Sequence, residues 1–364
     1  MKKINKFIIP DWVKKYRENI WLWFNTIQST NNPCYIRLCS NGDLLKPGPY
    51  SGLGWTALGL KLFHILEFSE YEKKLENKLA ERIKSFQTSS GETSGYFEDK
   101  ELLKRTDKFS LIKFKKIKDF NARRAETRQA VVSLKCINQK PLHPLKFMFD
   151  AEEEIRNFIK TLPWHDNPWH SGSHTSHLVI FLDTNFKLTK EKKFLKLIEV
   201  IFDELSYVYN RKTGSWYREN PPDFQKVNAA MKVLTAYDFL KREVPDPQKL
   251  IDYCLNTVIE SGACNLVDLL YVLHVCQKNT NYRKIEIQEI AFKSLGIIKS
   301  HFKDDGGLSY SHDGTQSGYY GAKVSRGFKD IGDLHGTKLY SWSLSIVSDL
   351  LEWNDRVKFK LPVT

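Results

Sequence analysis

Apolar residues recur at helical spacing in segments such as FLKLIEVIFDELSYVY (residues 194–209) and IEIQEIAFKSLGIIKSHF (residues 285–302), with charged residues between them. Long apolar/polar alternation, the mark of half-buried strands, is nearly absent. On this basis about twelve helices are expected, of two kinds. One kind carries a charged face and is expected near 11–28, 70–87, 150–162, 190–209, 247–260 and 284–302. The other is shorter, richer in small residues and opens on Gly, Ser, Asn or His; it is expected near 51–66, 124–137, 170–183, 224–240, 263–276 and 334–352. The two kinds alternate strictly.

A helix with a charged stripe faces water on one side, whereas one that is apolar all round must be buried. Alternation of the two therefore predicts an all-α (α/α)6 toroid, six inner helices inside six outer ones, over a single domain spanning 1–364, with helix 11–28 packed outside. Internal repetition points the same way. FQTSSGETSGYF (86–97), YNRKTGSWY (209–217) and FKDDGGLSY (302–310) each follow an outer helix, break it with glycine and place an aromatic residue or Leu behind the turn. An irregular helical protein with chance glycine turns is the alternative.

These turns resemble the repeat shared by terpenoid cyclases and protein prenyltransferase β subunits, which are α/α toroids. Two segments carry the resemblance further. CNLVDLLYVL matches an inner-helix run whose Asp and Cys bind zinc in the prenyltransferases, with Asp268 in the Asp place, Tyr271 in the Tyr place and Leu270 where the Cys stands. GGLSYSHDG, followed after an insertion by GDLHGTKLYSWSLS, puts His335 where that family has its zinc His, with Asp333 one residue closer than in the family pattern. The DxDD acid motif of class II cyclases is missing. The resemblance implies the toroid fold and an isoprenoid-type substrate, and opens a substituted zinc site of Asp268, Cys264 and His335, since Cys264 lies about one turn from Asp268.

Composition narrows the classes. Of 364 residues 41% are hydrophobic and 13% aromatic, enough for a sizeable core. Six cysteines without a CxxC pair read as reduced thiols. MKKINKFIIPDWVKKY has too short an apolar run for a signal peptide, so a cytoplasmic protein is expected. No window approaches the length of a spanning helix. The net charge of +13 suits an anionic ligand, an anionic membrane surface or nucleic acid, or is a compositional habit, since the lysines are spread along the chain. No phosphate-binding Gly-Lys loop, dinucleotide fingerprint or helix-turn-helix pattern indicates specific nucleic-acid readout.

In a toroid the inner-helix N-termini converge on one mouth, where free N–H groups and helix dipoles favour anions. The expected inner-helix starts carry Trp55; Glu126 and Arg128; Trp169, His170 and His174; Lys226 and Asn228; Asn265 and Asp268; Asp333 and His335. The adjoining loops add His165, Asp166, Tyr319, Tyr320, Arg326 and Asp330. The stretch WHDNPWHSGSHTSHLV (164–179) holds four of the ten histidines, with His170, His174 and His177 on one helical face. Metal binding, acid–base work and helix capping are all open to them. Glu126 and Arg128 are either a buried ionic lock or an anion clamp. TQSGYYGAKVSRG is either a loop folded over the mouth or an ordinary insertion. His170, His174, Asp268, Tyr320 and His335 are the candidate catalytic groups. Trp55, Glu126, Arg128, Asp166, Trp169, Asn228, Tyr319, Arg326 and Asp333 are the candidate substrate contacts.

Three functions follow. The resemblance favours an enzyme acting on an isoprenoid-type substrate in a cavity lined by Trp55, Trp169, Trp216, Tyr271 and Trp342. The alternative is a lyase, hydrolase or epimerase of acidic sugars, with Trp stacking the rings, Arg128 or Arg326 neutralising a carboxylate and a His/Tyr pair moving the proton. A non-catalytic toroid that binds a partner is the third. An apolar tunnel would mark the first, an open groove ringed by Trp and Arg the second.

Overall fold

Charged-faced and all-apolar segments do alternate as helices in the computed structural model, which describes residues 7–45, 52–106, 120–146, 149, 151–258 and 262–364. The inner set is α2 (Leu53–Ile65), α5 (Phe120–Cys136), α7 (Pro168–Thr189), α9 (Asp223–Phe239), α11 (Ala263–Gln277) and α13 (Leu334–Leu350). The outer set is α1 (Asp11–Thr26), α3 (Ser69–Lys84), α6 (Glu152–Thr161), α8 (Lys193–Val208), α10 (Pro247–Leu255) and α12 (Lys284–Ser300). A short α4 (Lys100–Thr106) was not expected from the sequence. The expected ends at Ser51, Asp150 and residues 259–260 lie outside the described residues.

Burial explains the sorting. In α3 the buried residues are Leu75, Leu79, Ala80 and Ile83, a single stripe, whereas in α11 every residue from Leu266 to Cys276 is buried. Each buried Leu, Ile or Val contributes roughly 1.5–3 kcal/mol, so α11 is stable only inside a second layer. The inner helices touch in the order α2, α5, α7, α9, α11, α13, and α13 returns to α2, closing the ring of an (α/α)6 toroid. Outer helices lie on the seams: α3 against α2 and α5, α12 against α11 and α13. Helix α1 lies on the seam between α2 and α13. Its Phe24 packs on Phe63 of α2 at 5.6 Å and its Tyr16 Oη is 2.9 Å from Ser341 Oγ of α13.

The three related turns share one geometry. Isolated bridges pair Gln87 with Phe97, Tyr209 with Trp216 and Phe302 with Leu308, and a fourth pairs Gln28 with Ile36 after α1. In the first three a glycine has positive φ (Gly95, Gly214, Gly306), a conformation that disfavours a side chain. The described strands are two short ones, β1 (Gly318–Tyr319) and β2 (Ala322–Lys323), an antiparallel hairpin in the insertion before α13. Among the described residues no helix is long and apolar enough to cross a membrane.

Candidate functional site

Because the inner helices run parallel, their N-terminal turns surround one opening, and a cavity of about 640 Å³ descends from it. Arg124 and Arg128 of α5, Trp169, His170 and His177 of α7, Lys232 of α9, Cys264 and Asp268 of α11, and His335, Lys338 and Trp342 of α13 line it. At 1.5 Å per residue, Arg128 and Lys232 start roughly 12–14 Å into their helices, but helical side chains lean back toward the N-terminus. Their heads therefore rise to meet groups from the turns above. Lys232 Nζ lies 5.7 Å from the ring of Trp169 and 3.7 Å from Asp268 Oδ1.

On the α5–α7 side, Arg124 Nη1 donates to His177 Nδ1 at 2.5 Å and to the Ser173 carbonyl at 3.2 Å. A guanidinium can only donate, so Nδ1 is the acceptor and His177 is neutral, with its proton on Nε2. Burial, then the charge of Arg124, hold it well below the usual histidine range. His170 and His174 face each other, Nε2 to Nε2, at 2.7 Å. Burial and Arg124 push His170 down to about 4 and His174 further in the same direction. The cluster thus carries no charge near neutral pH, and the His170–His174 pair is occupied with itself.

Across the cavity, burial raises the Asp268 carboxyl to about 6 despite Lys232. Cys264 Sγ lies 3.2 Å from Tyr310 Oη. His335 Nδ1 donates to Gln316 Oε1 at 2.9 Å, which leaves the lone pair on Nε2; its ring stacks on Tyr310 at 5.2 Å. Burial first, and Lys338, Lys61 and Lys232 next, keep His335 neutral. Among the described residues no three His, Cys, Asp or Glu side chains are placed to hold a metal ion. The zinc set Asp268, Cys264 and His335 does not form such a group.

The hairpin closes one side of the mouth. Tyr320 and Gly321 form its two-residue turn, both with positive φ (46° and 87°), as a tight hairpin with right-twisted strands requires. Holding a tyrosine in that conformation costs about 1 kcal/mol or more. Tyr320 lines the cavity as a result. The preceding Tyr319 is buried and packs on Trp55 at 4.9 Å, and the base of the hairpin is tied down by Leu44 N–H to the Val324 carbonyl at 2.8 Å and Gln316 N–H to Asp333 Oδ2 at 3.1 Å.

Of the residues picked from the sequence, His170, Asp268, Tyr320, His335, Arg128, Trp169 and Tyr319 line this one cavity, and His174 adjoins it through His170. The others are placed differently. Trp55 is buried with its N–H on Asp43 and supports Tyr319. Glu126 is buried against Gly54 and Tyr319 and makes no ion pair with Arg128, so of the two readings the ionic lock is absent, and Glu126 is not a lining contact. Asp166 is exposed beside His165 at 2.9 Å. Asn228 turns to Asn265 at 3.1 Å in a separate crevice, and Arg326 is exposed beyond the hairpin. Asp333 caps α13, accepting from Gly336 N–H at 2.8 Å. Trp216 and Tyr271 belong to the core; the latter bonds to Thr364 at 2.8 Å. Sequence reasoning missed Arg124, Lys232 and Lys338. Arg124 and Lys338 lie one turn from Arg128 and three residues from His335, on the same helix faces, a signal that points to them only once the face toward the cavity is known.

No family profile matches the chain, and neither does any curated protein. Solved structures similar in chain path include a polysaccharide lyase (10% identity, 96% of this chain and 98% of that one, TM-score 0.49). Another is the GH76A alpha-1,6-mannanase from Salegentibacter sp. HEL1_6 (13% identity, 94% of this chain and 100% of that one, TM-score 0.48). A third is a family 76 glycoside hydrolase from a bovine Bacteroides thetaiotaomicron strain (10% identity, 94% of this chain and 78% of that one, TM-score 0.47).

Proposed function

We propose that the protein is a carbohydrate-active enzyme that cleaves an acidic polysaccharide by β-elimination. The observation that carries this reading is the cavity wall: Arg124, Arg128, Lys232 and Lys338 line it between Trp169 and Trp342, with Asp268 the sole carboxylate among the described lining residues. Buried like charges repel and favour an anion, and indole faces stack on sugar rings. An isoprenoid chain would need continuous apolar walls. Here Ala125, Met231 and Leu339 are isolated between charged and hydrogen-bonding groups.

Hydrolysis of a glycosidic bond ordinarily uses two carboxyl groups facing across the bond, and one is at hand. Elimination needs neither a second acid nor a water. Arg124 would neutralise the uronate carboxylate and acidify the hydrogen on the adjacent carbon. Neutral His335 would take that proton on Nε2, held in the right tautomer by Gln316. The released electron pair forms a carbon–carbon double bond as the glycosidic C–O bond breaks, and Tyr320 would protonate the departing oxygen. The strained turn that projects Tyr320 over the cavity supports this role and weighs against a purely structural or partner-binding toroid.

The test is to incubate the purified protein with polygalacturonate, alginate and glycosaminoglycans and follow the ultraviolet absorbance of an unsaturated uronate. Absorbance growth with at least one of them is expected, with His335→Ala lowering kcat by about 10²–10⁴ and leaving KM nearly unchanged. New reducing ends without absorbance, or no turnover of any acidic glycan, would overturn the proposal.

A further inference from the structure

We infer that the centre of the cavity is a subsite for a tetrahedral oxyanion, an ester sulfate or phosphate carried by the sugar. Arg128, Lys232 and Lys338 come from α5, α9 and α13, alternate members of the closed ring of six inner helices. They therefore reach inward from three directions spread evenly around the barrel axis. A planar carboxylate is matched by a single guanidinium fork. Three cations that converge from three sides match the three free oxygens of an ester sulfate or phosphate.

The charges already present do not satisfy one another. Lys338 is 3% exposed, lines the cavity and makes no hydrogen bond or ion pair; its ammonium lies 5.2 Å above the ring of Trp342. Arg128 Nε is buried without a hydrogen-bond partner. Behind them Lys61, 4% exposed on α2, donates to Gln129 Oε1 at 2.6 Å, and burial first, then Arg128 and Lys338, hold it well below the usual lysine range. Asp268, near Lys232, offers one carboxylate against the three basic groups Arg128, Lys232 and Lys338. A desolvated ammonium with no anion is costly, and burial accordingly pushes Lys338 down to about 7. One uronate carboxylate on Arg124 would leave this second group unmatched. The subsite rests on the sugar reading only for the identity of the molecule that carries the ester.

Titration of the whole protein with sodium sulfate and sodium phosphate, against acetate and chloride at matched ionic strength, reads the site without any turnover. Sulfate or phosphate is expected to bind saturably and raise Tm by mass action, while acetate and chloride do not. Lys338→Met keeps the side-chain length and removes the charge. It is expected to weaken that binding at least about tenfold, the lower end for a charged hydrogen bond, and to raise Tm in the absence of anion. Lys232→Met is expected to weaken binding likewise and guards against a folding defect in the first variant. Galactose 6-sulfate against glucose 6-phosphate identifies the ester, with free galactose as the blank. Equal stabilisation by acetate, or an undiminished sulfate response in both variants, would overturn the subsite. Loss of the elimination reading alone would leave these titrations unchanged.

Discussion

Replacement of Gly54 by Ala tests how the hairpin is aimed. Gly54 opens α2, and a Cβ there would stand 2.6 Å from Tyr319 Oη, 2.9 Å from Tyr319 Cε1 and 2.8 Å from Glu126 Oε1. Ordinary contact begins near 3.4 Å, so Tyr319 must retreat by close to 1 Å. It cannot swing aside, since it is 4% exposed and packed on Trp55, and the shift passes to the neighbouring Tyr320. Overpacking costs about 1–3 kcal/mol. Alanine returns up to about 0.5–1 kcal/mol of helix propensity, less so near a helix start. The net loss of stability is then at most about 3 kcal/mol, whereas a 1 Å displacement of a reacting group lowers turnover by about 10². The matched control is Gly59→Ala on the same helix. There the Cβ meets the tip of the Ile36 side chain, away from the cavity. Thermal melts, kcat on an acidic polysaccharide and tryptic cleavage after the exposed Lys323 are measured for both. Gly54→Ala is expected to lower kcat about 10² and speed cleavage with a Tm loss of only a few degrees, and Gly59→Ala to leave kcat and cleavage unchanged. Equal kcat and equal cleavage in the two variants would refute the reasoning.

Acidification is expected to destabilise the protein through the α7 histidines. The folded value for His170, about 4, lies below its ordinary 6.5, so the unfolded chain takes protons first; the stability is present above pH 6.5 and is lost as pH falls toward 4. Asp268, raised to about 6, acts in the opposite sense, so the readout is the difference between variants: His170→Gln should flatten the wild-type loss of Tm between pH 6.5 and 4, and an identical slope in both counts against it. In the outer layer, Arg156 Nη1 holds the buried Glu204 at 3.0 Å across α6 and α8, with Lys160 at 3.9 Å in reserve. Arg156→Ala is expected to cost about 1–3 kcal/mol in denaturant unfolding with kcat unaffected, and a loss of kcat without loss of stability would show that this account is wrong.

The two layers were legible in the sequence because burial imposes a local pattern. A one-sided stripe such as Leu75, Leu79 and Ile83 can only face inward, and a run such as LVDLLYVLHVC can only be enclosed, so period and composition together sort the helices into rings. Glycine at the turn positions Gly95, Gly214 and Gly306 marked the repeat for an equally local reason, the need for positive φ. The candidate site was legible as far as helix starts were, which is why His170, Asp268 and His335 meet on one rim. Which face of an inner helix looks into the cavity could not be read. These helices are apolar nearly all round, so no stripe distinguishes the face toward the axis from the face toward a neighbour. Ring closure alone decides it: Asn228 turns to Asn265, Glu126 to Tyr319, and Arg124, Lys232 and Lys338 to the cavity. The convergence of three cations from alternate helices is a property of that closed ring, since residues 128, 232 and 338 are brought together by packing between helices and by nothing in the local chain.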